Sequence, residues 1–352
     1  MQLEPPYRYY ATLVPGLEGP AEDLVRSRLP GAQILRVLSG ALLFECSCSY
    51  DKLNLLCFNN IFTPLDIKET GPGGDPEDLT QHPSQVLGLL SKNPGTYRDL
   101  MAPASTRIRS FRLFVSEENV PAPLEESLRR SLEATIGGLT GLRVERRGAD
   151  TEFWFLRRRE GLSLFMKRLT NKGGPKPRAG ELSAPLAWLL CHLGGLGPAM
   201  RVLDPFSGYG AICEAALKFF PITSMYALDR DQQSLGAMLK KPSLKKFLES
   251  KRLIAQGGDF FDSSLPEDLD AIVSDPPWGI FKKTDGDLGE FYGKMLAHCH
   301  GLLKEGGRAV FLCGAPEDFE GALAGSPFRL SQSLPILVSG KKARVYVLEK
   351  KP

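Results

Sequence analysis

The spacing of apolar side chains changes character at about residue 182. Before that point short strand-like runs are broken by single helices. Tyr7–Val14 (YRYYATLV) predicts a strand ending at Pro15-Gly16, and Glu18–Leu29 predicts a short helix stopped by Pro30-Gly31. Ile34–Leu38 and Ala41–Cys46 read as strands joined at Ser39-Gly40, a hairpin signal. Roughly residues 65–105 read as loop-rich, with Thr70–Gln81 a loop or linker. Arg109–Val115 alternates Phe111, Leu113 and Val115 with polar residues and predicts a strand. Pro123–Ile136 carries Leu124, Leu128, Leu132 and Ile136 at helical spacing, and Leu142–Arg146, Glu152–Leu156 and Leu162–Leu169 read as strands. Residues 171–180 (NKGGPKPRAG) have the composition of an exposed linker.

After 182, strands and helices alternate. A helix at Pro185–Leu193 precedes strands at Arg201–Leu203, Met225–Leu228, Arg252–Ala255, Ala271–Ser274 and Arg308–Cys313. Helices fall at Ala211–Phe220, Gln232–Leu239 and Phe291–Leu303. Such alternation predicts an α/β fold with a parallel, doubly wound sheet. The tail breaks the rule, because Leu334–Val338 and Arg344–Leu348 flank Ser339-Gly340-Lys341 as a reversed hairpin.

The length of 352 residues predicts two or three domains, and 42% hydrophobic with 24% charged residues is ordinary for a soluble protein. No run approaches a membrane span, and Glu4, Pro5, Pro6 and Glu18 are foreign to a signal peptide. The seven scattered cysteines predict reduced thiols and a cytoplasmic location. Cys46-Ser47-Cys48 is too tight for a zinc pair, and His298-Cys299-His300 does not share a helical face, so no metal is expected. The net charge of +3 hides a division: residues 98–178 hold 17 basic and 10 acidic side chains, whereas residues 179–352 hold 20 of each. A basic middle segment points to a polyanion such as nucleic acid. Lys167, Arg168, Lys172, Lys176 and Arg178 are the candidate contacts, chosen on local charge density.

Two loops carry candidate chemistry. In Asp204-Pro205-Phe206-Ser207-Gly208-Tyr209-Gly210 the glycines allow backbone to approach a ligand, and the following helix points its positive end at an anion. Asp204 can accept a hydrogen bond, Asp229 at the end of the next strand can bind ribose hydroxyls, and Asp259 and Phe260 can hold and cover an adenine. The second loop is Asp275-Pro276-Pro277-Trp278. An exocyclic base amine is a poor nucleophile because its lone pair is delocalised. The Asp275 carboxylate and Pro276 carbonyl can accept its hydrogens, the stiff prolines pre-place them, and Trp278 offers a stacking face.

These residues resemble the THUMP-domain RNA methyltransferases, which use S-adenosylmethionine to methylate guanine N2 in tRNA. The similarity rests on Asp204-Pro205-Phe206-x-Gly208-x-Gly210 with Glu214-Ala215-Ala216, on Asp275-Pro276-Pro277-Trp278-Gly279, on Tyr10-Ala11-Thr12 with Pro15-Gly16-Leu17-Glu18, and on Phe111–Thr170. The loop departs from the family pattern at Ser207, Tyr209 and Ala211. The resemblance implies a ferredoxin-like subdomain at 1–65, a THUMP-like RNA-binding domain at 66–170, a linker at 171–181, and a Rossmann-like methyltransferase domain with its reversed hairpin at 182–352. It implies S-adenosylmethionine as cofactor and tRNA, gripped by its acceptor stem and 3′ end, as partner. The motif chemistry leaves adenine N6 and ribosomal RNA open. An inactive RNA-binding scaffold is a further alternative, opposed by intact Asp204, Asp229, Asp275 and Trp278.

Overall fold

A computed structural model describes residues 4–70, 80–103, 105, 107–170, 178–279 and 287–351. The chain forms two compact units, one of Met1–Thr12 with Glu22–Gly174 and one of Leu13–Ala21 with Pro175–Pro352.

The first part of the chain runs β1 (Tyr7–Thr12), α1 (Glu18–Arg28), β2 (Gln33–Leu38), β3 (Ala41–Cys46), β4 (Asn60–Glu69), α2 (His82–Lys92), α3 (Pro94–Met101) and β5 (Ser110–Glu117). It continues with β6 (Val120–Pro121), α4 (Glu126–Thr140), β7 (Arg143–Val144), β8 (Thr151–Arg158) and β9 (Leu162–Arg168). One nine-stranded sheet has the order β2-β3-β1-β4-β9-β8-β5-β6, with β7 also on β5. β4 pairs antiparallel with β9 from Phe62↔Arg168 to Glu69↔Leu162, so the boundary drawn at residue 65 falls inside a strand shared by both segments. Phe111, Phe153, Phe155 and Phe165 alternate onto one face and pack with Val86, Leu90, Met101, Leu132 and Ile136 of the helices.

The loop-rich expectation for 65–105 is corrected by β4, α2 and α3. Pro83 and Pro94 occupy the first turn of α2 and α3, where a missing N–H leaves no broken bond. Pro64 sits where the β4–β9 register shifts. Leu142–Arg146 shrinks to the two residues of β7.

The second unit contains α5 (Ala184–Leu193), β10 (Arg201–Asp204), α6 (Ala211–Phe219), β11 (Ser224–Asp229), α7 (Gln232–Leu239), α8 (Pro242–Glu249), β12 (Leu253–Gly257) and β13 (Leu269–Ser274). It ends with α9 (Leu288–Leu302), β14 (Leu303–Cys313), α10 (Pro316–Ala324), β15 (Phe328–Val338) and β16 (Lys341–Lys350). The sheet order is β12-β11-β10-β13-β14-β16-β15. β10 to β14 are parallel, and β16 lies antiparallel between β14 and β15. This is a Rossmann-like α/β sheet with a reversed terminal hairpin. Helices α8 and α10, absent from the sequence reading, also begin at prolines. Leu203, Ile272, Tyr292, Met295, Phe311, Phe319 and Tyr346 form part of its core. The strand order reverses between β10 and β13, and the carboxyl ends of those strands carry both candidate loops. Among the described residues no helix is long and apolar enough to cross a membrane.

Candidate active site

Asp204, the last residue of β10, is 1% exposed. Its Oδ1 accepts from Ser274 Oγ at 2.6 Å and from the Phe206 amide at 3.3 Å. The loop then folds on itself. The Ser207 amide donates to Leu228 O at 2.9 Å, and the Gly210 amide to Ser207 O at 2.7 Å. The Gly208 amide donates to Asp229 Oδ2 at 2.6 Å, while the Asp231 amide donates to Asp229 Oδ1 at 2.8 Å. The amides of Phe206, Ser207, Gly208 and Gly210 are therefore used within the protein. Those left for a ligand are the Tyr209 amide and the amides in the first turn of α6, whose N-terminus has no side-chain cap. Gly210 has φ +76°, and a Cβ there would fall on the Met238 side chain. Ser207 Oγ is buried with no hydrogen-bond partner among the described residues. Such a hydroxyl is a ready donor for a bound molecule.

Asp275 follows β13 directly. Trp278 Nε1 donates to its Oδ1 at 2.7 Å, closing the loop into a tight ring. The indole lies against the Gly314 backbone, where any Cβ would collide with it. The buried Tyr292 hydroxyl donates to Pro277 O at 2.7 Å and fixes the loop from α9. Burial pushes the Asp275 carboxyl up to about 7, opposed by the indole hydrogen bond. The residue keeps partial surface exposure, so this desolvation comes from crowding around the carboxylate itself. Burial likewise pushes Asp204 up to about 7, against the hydrogen bonds from Ser274 and Phe206, with the charges of Asp229 and Asp275 adding to the rise.

Asp259 lies beyond β12 and accepts from the Phe261 amide at 2.9 Å. The expectation for Phe260 is corrected. Its ring is 3% exposed and packs on Phe206 at 5.4 Å and His298 at 4.7 Å, so it has no face to offer a ligand. Phe261 is the exposed one, at 37%, and meets Phe291 at 5.8 Å. Of two adjacent phenylalanines only one can enter the core, and sequence alone does not say which. His298 and His300 diverge, the second packing on Phe328 at 5.1 Å.

The cation candidates scatter. Lys167 is 6% exposed and its Nζ donates to Ala102 O, so the expectation that it meets a polyanion is corrected. Burial lowers its pKa to about 8. Arg168 bonds Glu152 at 3.0 Å and Asn60 Oδ1 at 2.6 Å, which makes it part of a structural network. Lys172 and Lys176 lie outside the described residues. Arg178 is exposed, and its guanidinium sits 5.0 Å from the centre of the Tyr209 ring. The first unit also has a groove of about 300 Å³ along β5 and α4, lined by Arg112, Arg129, Arg146 and Glu133, in which Arg112 pairs with Glu152 and Arg146 with Glu126.

Residues 175–341 match the UPF0020 family, the RMKL-like methyltransferase domain. A tRNA (guanine(6)-N2)-methyltransferase of Thermus thermophilus is 32% identical over 210 residues, 59% of this chain and 60% of that protein. A tRNA (guanine(10)-N2)-dimethyltransferase of Methanothermobacter thermautotrophicus is 32% identical over 196 residues, 51% of this chain and 56% of that protein. The chain thus spans less than two thirds of the length of either relative. The crystal structure of TrmN from Thermus thermophilus shares the fold, with a TM-score of 0.71 at 23% identity over 97% of this chain and 99% of that one.

Proposed function

We propose that this protein is an S-adenosylmethionine-dependent RNA methyltransferase that modifies the exocyclic N2 of guanine in tRNA. The observation that carries the reading is the Asp275 carboxylate. It is desolvated, gripped on one oxygen by Trp278, and set at the switch point beside the glycine loop. The cofactor fits the residues present. Gly210 keeps the loop narrow, Ser207 Oγ lacks a partner among the described residues, and Asp229 stands at the end of β11 where ribose hydroxyls are bound in such sheets. When bound, the cofactor supplies an electrophilic methyl group on its sulfonium.

The protein's own residues prepare the nucleophile. Asp275 and the Pro276 carbonyl accept the two amine hydrogens, which draws nitrogen lone-pair density out of the ring. Trp278, immobilised by Asp275 and Gly314, supplies an apolar face. Tyr292 holds Pro277 so that these acceptors need no reorganisation. RNA is taken through the basic segment of the first unit, with Arg129 and Arg146 in place of the buried Lys167, since Arg112 is paired with Glu152. The names of the two relatives share guanine N2 and tRNA and differ in position, so the reading carries no position. All seven cysteines are free thiols, in keeping with a cytoplasmic enzyme.

The test is nucleoside mass spectrometry on unmodified tRNA and ribosomal RNA incubated with protein and cofactor. N2-methylguanosine in tRNA is expected. N6-methyladenosine, or product in ribosomal RNA alone, would overturn the substrate, and absence of both product and cofactor binding would favour the scaffold.

A further inference from the structure

The cofactor proposed above ends in an amino-acid carboxylate, yet the charges beside the loop are those of the acids Asp204, Asp229 and Asp275. An anion entering there needs a cation. Two nearby lysines are engaged: Lys241 Nζ bonds Glu181 at 2.7 Å and reaches Glu214 at 3.4 Å, and Lys218 reaches Glu214 at 3.4 Å. Arg178 is different. Among the described residues no carboxylate pairs with its guanidinium, which lies over the ring of Tyr209. Tyr209 stands between Gly208 and Gly210, both at positive φ, directly before the uncapped N-terminus of α6.

The arrangement is anchored. The Arg178 amide donates to Glu181 Oε2 at 3.2 Å, Glu181 Oε1 holds Lys241, and Lys241 reaches Glu214 in the first turn of α6. Arg178 is therefore tied to the loop twice, once by its backbone through this chain and once by its side chain on Tyr209. A guanidinium over an aromatic face keeps its N–H edge free for a carboxylate. Close by, Ser207 Oγ, in a residue 5% exposed, has no partner among the described residues.

We infer that Arg178, seated on Tyr209, binds the carboxylate of the methionyl end of S-adenosylmethionine, together with the first-turn amides of α6. This rests on the cofactor reading above and adds a residue outside the glycine loop to the cofactor site. It also moves Arg178 from polyanion contact to cofactor recognition, and gives the bulky Tyr209 a role as a platform.

The test is calorimetric titration with two ligands, S-adenosylhomocysteine and 5′-methylthioadenosine, which lacks the amino-acid end. Arg178→Ala should weaken S-adenosylhomocysteine about tenfold or more, the scale of a lost charge-assisted bond, and leave 5′-methylthioadenosine within about twofold. Arg178→Lys should recover part of the loss, Tyr209→Phe should bind normally, and Tyr209→Ala should lose several-fold on S-adenosylhomocysteine alone. Equal losses on both ligands, or none on either, would overturn the inference. So would weakened tRNA binding with S-adenosylhomocysteine unaffected. Failure of the wild type to bind S-adenosylhomocysteine would instead remove the cofactor reading on which the inference stands.

Discussion

The two units treat buried acids in opposite ways. In the first, Glu152 is fully buried and surrounded by donors: Arg112 at 2.6 Å, Arg168 at 3.0 Å and Trp154 Nε1 at 2.9 Å. Arg158, 3% exposed, bonds Glu160 at 2.9 Å and Ser39 O at 2.8 Å. Opposite charges there are matched to each other. In the second unit Asp204 and Asp275 have a hydroxyl, an amide or an indole for company, and among the described residues no cation hydrogen-bonds to either. Burial pushes both carboxyls up to about 7. A matched acid is satisfied within the fold and costly to unpair, whereas a desolvated acid that meets no cation among the described residues is a candidate for ligand contact. The contrast separates architecture from chemistry better than charge density does: the most basic stretch of the chain contributes Lys167 and Arg168 to interior contacts.

Removing either kind of acid should show in different measurements. The largest effect is expected for Asp275→Ala, with turnover falling about 10²–10³-fold, as when one pre-placed transition-state partner is lost. Affinity for S-adenosylhomocysteine should stay within about threefold, and a collapse of that affinity would place Asp275 in the cofactor site instead. Next comes Glu152→Ala, which leaves Arg112 and Arg168 facing each other without their anion. A loss of about 3 kcal/mol in the urea unfolding of the first unit is expected, with S-adenosylhomocysteine binding unchanged. Unaltered unfolding would show that the matched network is not what holds this sheet.

Much of the second unit was legible from sequence because its strands are short apolar runs with helices between them. Strand β13 is buried or nearly so throughout, and its loop chemistry follows at once in Asp275-Pro276-Pro277-Trp278. The first unit was harder. Pro83 and Pro94 fall in the stretch read as loop-rich, yet they occupy two helix starts, and Pro64 occupies a register shift, positions that cost little. The site errors share one cause, side-chain direction. β9 is buried on both faces from Leu162 to Lys167, so a cation there turns inward. Phe260 and Phe261 differ by one position and point to opposite environments. The Arg178–Tyr209 contact joins residues 31 apart in sequence, and no local pattern announces it.

The most direct measurement is the pH dependence of single-turnover methyl transfer to tRNA by the wild type and Asp275→Asn. Asp275 accepts amine hydrogens only as the carboxylate, and its proton is held up to about 7. The wild-type rate should therefore climb about tenfold per pH unit below 7 and level off above it, while Asp275→Asn should be slow and lose that limb. A wild-type rate flat from about pH 5.5 to 8.5, or an unchanged limb in Asp275→Asn, would contradict the assignment of this unmatched acid to the chemistry.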